Sequence, residues 1–131
     1  MGRPGYRAKY HPGFFDTLDK AAEGMTDKEF TLFWELFNHE VNNLSKNPYR
    51  LSRECKYGNL KEAGNRTISF HSKLPRIGTG DLRIIFKIDE DSRINYYLAI
   101  GKRINDRPRP ADDLYSIATD IVDVETDRKQ S

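Results

Sequence analysis

Thr67-Ile-Ser-Phe-His-Ser-Lys-Leu74, Leu82-Arg-Ile-Ile-Phe-Lys-Ile88 and Asn95-Tyr-Tyr-Leu-Ala-Ile-Gly-Lys-Arg103 each alternate apolar and polar side chains. Successive side chains of a strand point to opposite faces of its sheet. Ile68, Phe70 and Leu74 therefore share a face with Leu82, Ile84, Phe86 and Ile88, and by the same parity with Tyr96, Leu98 and Ile100. The opposite parity holds Ser69, His71, Lys73, Arg83, Ile85, Lys87, Tyr97, Ala99 and Arg103. Three neighbouring strands of this kind predict a sheet with one apolar face and a reverse face carrying His71, Lys73, Arg83 and Arg103. A bulge in any strand would turn its remaining residues over.

Working outward, Tyr6, Ala8 and Tyr10 alternate with Arg7, Lys9 and His11, a first strand ended by Pro12-Gly13. Phe14, Phe15, Leu18, Ala21 and Ala22 have helical spacing up to Gly24. Thr26-Asp-Lys-Glu29 is a capping box that opens a second helix, with Phe30, Phe33, Trp34, Phe37, Val41 and Leu44 along one stripe. That stripe reads as packing against the sheet, and the helix stops before Asn47-Pro48. Tyr49 to Arg66 reads as an irregular basic connection. The later strands are joined by Arg76-Ile-Gly-Thr-Gly-Asp81 and by the acidic turn Asp89-Glu-Asp-Ser-Arg93. Ile104 to Pro110 forms a Pro-rich loop, and a last helix starts at Asp112-Asp113 and runs through Leu114, Ile117, Ala118 and Ile121. The expected architecture is α+β, a small antiparallel sheet of about four strands with helices packed on one face. Its element order is strand-helix-helix-strand-strand-strand-helix. Residues 1–124 form a single domain and 125–131 a polar tail.

Composition narrows the function. A chain of 131 residues suits one core that buries roughly two-thirds of the unfolded surface. No apolar run is long enough to span a membrane, and the basic N-terminus lacks the apolar segment of a secretory signal. One cysteine, Cys55, permits no internal disulfide, so a cytoplasmic location is expected. Asn65-Arg-Thr67 is then an incidental glycosylation sequon. Charge is segregated: residues 46–110 hold 15 Lys and Arg against 7 Asp and Glu, while residues 111–131 hold 2 against 6. Such a basic middle segment suits a polyanionic partner.

His11, His39 and His71 share no ligand spacing, and neither a phosphate-binding loop nor a nucleophile elbow is present, so no metal or other cofactor is expected. The acidic turn is accounted for by solvated charges. Metal-free RNA cleavage needs less: a base for the ribose 2′-hydroxyl, an acid for the leaving 5′-oxygen, and cations for the phosphoryl charge. Arginine suits the last task through its planar, permanently charged fork, and histidine suits the first. Taken singly, each candidate has a plainer account: His71 as a surface residue, Lys73 as an edge charge, Arg103 as a counter-ion to Asp106. Arg83, flanked by Leu82 and Ile84 within a strand, is the hardest to dismiss.

Asp81-Leu-Arg-Ile-Ile-Phe-Lys-Ile88, the acidic turn, and Tyr97-Leu-Ala-Ile-Gly-Lys-Arg103 together resemble the signature of the RelE/ParE superfamily of toxin–antitoxin toxins. Lys9-Tyr-His-Pro-Gly-Phe-Phe15 and the element order fit as well, so the resemblance spans roughly residues 6 to 120. It implies an α+β toxin with a cognate antitoxin as partner and mRNA on the ribosome as substrate, with no membrane involved. In the RelE branch of ribosome-dependent mRNA endonucleases, the site positions correspond here to His71 and Lys73, Arg83, Arg103 and Tyr115. His71 stands where that branch carries a lysine, and an apparent insertion from Asn105 to Ala111 sets Tyr115 further along. Arg107 or Arg109 is then the alternative substrate contact, and Arg50, Arg53, Lys56, Lys61 and Lys87 are expected to grip RNA. The resemblance also admits a ParE-type gyrase inhibitor that acts by protein binding, or an inactive module that keeps only the fold.

Overall fold

The computed structural model describes residues 5–55, 60, 63–71, 82–102 and 118. Strand β1 (Arg7–Tyr10) leads through helices α1 (Phe14–Ala21), α2 (Asp27–Lys46) and the short α3 (Pro48–Leu51). Strands β2 (Arg53–Glu54), β3 (Asn65–Phe70), β4 (Leu82–Asp89) and β5 (Ile94–Gly101) follow. Among the described residues these five strands make one sheet in the order β1-β5-β4-β3-β2.

The sheet is mixed, which corrects the antiparallel expectation. β2–β3, β3–β4 and β4–β5 pair antiparallel, whereas β1 pairs parallel with β5. The three helices and strands β2 to β4 all lie between β1 and its partner β5, and a parallel pair requires such a long connection. The added strand is β2, two residues inside the stretch expected to be irregular. Arg53 pairs with Thr67 and Glu54 with Arg66. β3 itself begins two residues earlier than expected and ends at Phe70.

Local chemistry sets the helix ends. Thr26 Oγ1 accepts from the Glu29 N–H, and a Glu29 carboxylate oxygen accepts from the Thr26 N–H, closing the expected capping box. The turn between α1 and α2 passes through Gly24 at φ +85°, a backbone conformation that side chains resist. Pro48 opens α3, where its missing N–H costs no helical bond.

The main core lies between the helices and one face of the sheet. Phe14 and Leu18 of α1 and Phe33, Phe37 and Leu44 of α2 pack on Ile68, Phe70, Leu82, Ile84, Phe86, Tyr97 and Ile100. Polar contacts lock the layers together. Ile100 N–H donates to Thr17 Oγ1 at 3.1 Å, and Asn95 Nδ2 donates to the Leu44 carbonyl at 3.0 Å. The aromatic stripe of α2 is only partly core: Phe33 and Phe37 are buried, while Phe30 and Trp34 stay 37% and 39% exposed.

A bulge corrects the parity of β5. Ile85 faces Ala99 and Phe86 faces Tyr97, so Leu98 is the extra residue. Tyr97 therefore joins Ile100 in the helix-side core, while Tyr96, Leu98 and Ala99 turn to the reverse face. That reverse face is not uniformly polar either. Ile85, Leu98 and Ala99 form a second buried cluster with Cys55, Leu60 and Ala118.

Candidate nucleic-acid interface

The register lines up the reverse face in rows. One row runs Ser69 on β3, Arg83 on β4, Gly101 on β5. Directly opposed residues stand about 5 Å apart, so Arg83 rises between a hydroxymethyl group and no side chain at all. The guanidinium is half-buried, and its Nη1 donates to the Leu82 carbonyl at 3.1 Å. His71, half-buried, follows immediately on β3. It stands two residues past Ser69, at the same end of the sheet as Arg83.

The next row belongs to the buried cluster of Ile85 and Ala99, and at its margin Arg53 pairs with Thr67 on the same face. Arg53 is exposed there. Beyond it lies a row the sequence alone did not assemble: Lys9 on β1, Tyr96 on β5, Lys87 on β4 and Asn65 on β3. Lys9 and Lys87 are exposed and Tyr96 is half-buried. The alternation of Arg7, Lys9 and His11 is visible in the sequence, but nothing local says that β1 lies beside β5.

Of the residues expected to act, Arg83, Arg53 and Lys87 are thus distributed along this face, His71 follows the end of β3, and Arg50 is exposed on α3 instead. Lys73, Arg103, Tyr115, Lys56, Lys61, Arg107 and Arg109 lie outside the described residues.

Several further contacts of charged groups tie the elements together. Arg66 donates from Nε to Ser52 Oγ at 2.7 Å and from Nη2 to the Ser52 and Tyr49 carbonyls, which staples α3 and β2 to β3. Glu90 of the acidic turn accepts from the Tyr6 and Tyr49 hydroxyls and pairs with Arg93, whose guanidinium lies 4.0 Å above the Tyr6 ring. Those tyrosine hydrogen bonds hold the Glu90 carboxyl below its ordinary range. Among the described residues no three His, Cys, Asp or Glu gather as a metal site. Burial pushes the Cys55 thiol up to about 11, against a small opposing pull from Arg66, so it stays protonated and is no nucleophile at neutral pH. The charges that the described residues place on this face are cationic, the kind that neutralises a phosphate.

No family model matches the sequence, and no curated protein matches it. Among solved structures, the toxin–antitoxin complex RelBE2 of Mycobacterium tuberculosis aligns with a TM-score of 0.51 at 17% identity, covering 76% of this chain and 99% of that one. An archaeal RelE–RelB complex from Pyrococcus horikoshii aligns at 0.46 and 14% identity, over 78% of this chain and 99% of the other. A conserved hypothetical protein of Helicobacter pylori follows at 0.43 and 16%, over 74% and 93%. Likeness at 17% identity is likeness of fold alone, and the chain has a RelE-like fold.

Proposed function

We propose that this protein is the toxin of a toxin–antitoxin pair and that it cleaves mRNA on the ribosome without a metal ion. The observation that carries the reading is Arg83, set between Ser69 and Gly101 on the face opposite the helices, with His71 at the same end of the sheet. In this mechanism His71, assisted by Lys73, takes the proton of the ribose 2′-hydroxyl as its oxygen attacks the adjacent phosphorus. The bond to the 5′-oxygen breaks, that oxygen takes a proton from the Lys73 ammonium as it leaves, and a 2′,3′-cyclic phosphate remains. Arg83 and Arg103 neutralise the charge growing on the non-bridging oxygens, and Tyr115 stacks on a neighbouring base. A cytoplasmic antitoxin holds the toxin silent by covering this face.

Removing one transition-state charge stabiliser costs about 10²–10³ in rate. Arg83→Ala, with its fold checked by circular dichroism, should lose mRNA cleavage and growth inhibition on induction in cells by that order. Undiminished cleavage in Arg83→Ala would remove the assignment. Growth arrest with intact mRNA and a DNA-damage response would point to gyrase inhibition instead.

A further inference from the structure

We infer that the row formed by Lys9, Tyr96 and Lys87 is a binding site for single-stranded RNA, in which the Tyr96 ring stacks on a base and the two lysines hold phosphates. The inference rests on the reading above for RNA as the substrate, and it adds a hold on the strand at a distance from the reacting end. Three strands meet in this row. Lys9 of β1 and Lys87 of β4 are both direct register partners of Tyr96 on β5. The two lysine backbones are therefore separated by two strand spacings, about 10 Å, with the aromatic ring between them. All three residues lie on the same face as Arg83. Lys87 is four residues from Arg83 along β4, a separation of roughly 13 Å.

The ring is positioned rather than loose. Tyr96 packs against the Leu98 and Ala99 cluster below it, and the His11 ring meets it edge-on with centroids 6.4 Å apart. His11 is itself oriented, because its Nδ1 accepts from the Gly13 N–H at 3.1 Å. A preoriented aromatic between two solvated cations is the arrangement used to bind unpaired nucleotides with little sequence preference: the ring offers a stacking surface and the cations track the backbone. Among the described residues, Asp89 of β4 lies one row further out on this face, where its Oδ1 accepts from the Ser92 N–H within the hairpin turn. The row itself carries two positive charges and no negative one. The bulge at Leu98 makes the site: without the extra residue Tyr96 would turn into the helix-side core and leave the lysines without a ring.

The test uses the full chain and a fluorescein-labelled 2′-O-methyl oligoadenylate, which has no free 2′-hydroxyl and so reports binding without cleavage. Tyr96→Ala should weaken binding by about 5- to 150-fold, the effect of losing one stacked base, and Tyr96→Phe should keep it. Because Tyr96 also packs on a buried cluster, Lys9→Ala combined with Lys87→Ala supplies a second arm at exposed positions. That pair should reduce the slope of log affinity against log salt by about 1.4, two single-strand phosphate contacts. Parental affinity in Tyr96→Ala, or an unchanged slope in the lysine pair, overturns the inference. The two readings fail separately. Cleavage lost in Arg83→Ala with unaltered oligonucleotide binding in the Tyr96 and lysine variants sinks this inference alone. Cleavage retained in Arg83→Ala with weakened binding in Tyr96→Ala sinks the catalytic assignment alone.

Discussion

Phe14 joins the first strand to both helices and to the central sheet, and replacing it should cost more than any surface change. Its ring is fully buried and lies 5.1 Å from Tyr10, 5.8 Å from Phe37 and 6.1 Å from Tyr97, centroid to centroid. Phe→Ala at such a site removes about 3–5 kcal/mol, since the transfer energy is lost and a cavity remains. For 131 residues the unfolding entropy near the midpoint is about 0.28 kcal/mol/K. Phe14→Ala should therefore lower Tm by about 11–18 °C. Phe15 provides the control within the same helix. It is 42% exposed, and its ring contacts are with Tyr10 and Phe14 alone among the described residues. Phe15→Ala should cost about 1–1.5 kcal/mol, or roughly 4–5 °C. Differential scanning calorimetry on both variants measures the contrast. Equal shifts would refute the view that α1 is held by the Phe14 contacts.

Two further outcomes follow from the charged and thiol groups. Glu90 is depressed by hydrogen bonds from Tyr6 and Tyr49 and by Arg93, partly offset by desolvation. A carboxylate with a lowered folded-state pKa stabilises above its unfolded value and loses that contribution as pH falls through the folded one. The Tm gap between the parent and Glu90→Gln should therefore be present at neutral pH and close as pH drops below the ordinary 4.5. A gap that persists under acid would show that the turn does not depend on the charge. Cys55, raised by burial to about 11 from 9.0, should react with a disulfide reagent about a hundredfold more slowly in the folded chain than in urea. Equal rates would mean that the thiol is not covered.

The parts of the fold that were legible in the sequence are those fixed by short-range chemistry. Thr26 and Glu29 are three residues apart, so their capping box reads directly from the chain, and the structure contains it. The two-residue periods of β3 and β4 also read correctly, because Ile68, Phe70, Ile84 and Phe86 all face the helices. The same period puts Arg83 on the reverse face, and the register agrees. β2 is not legible in the sequence because two residues are too few to show a period. The split of the α2 stripe is not legible either, because spacing says which residues share a side of a helix and not how far the sheet extends beneath them.

The sequence by itself determined the α+β class, the capped start of α2, the apolar side of the central strands and the presence of a basic segment. Tertiary structure decided what that basic segment stands beside. The partner of β1 lies more than eighty residues away in the chain, and the bulge at Leu98 arises from pairing with β4 and not from any local signal. Those two long-range choices bring Tyr96 between Lys9 and Lys87 and bury Ile85, Leu98 and Ala99 beneath Cys55 and Leu60. Side-chain alternation is a property of one strand, whereas a face is made by its neighbours, and the neighbours are selected by the packing of the whole chain.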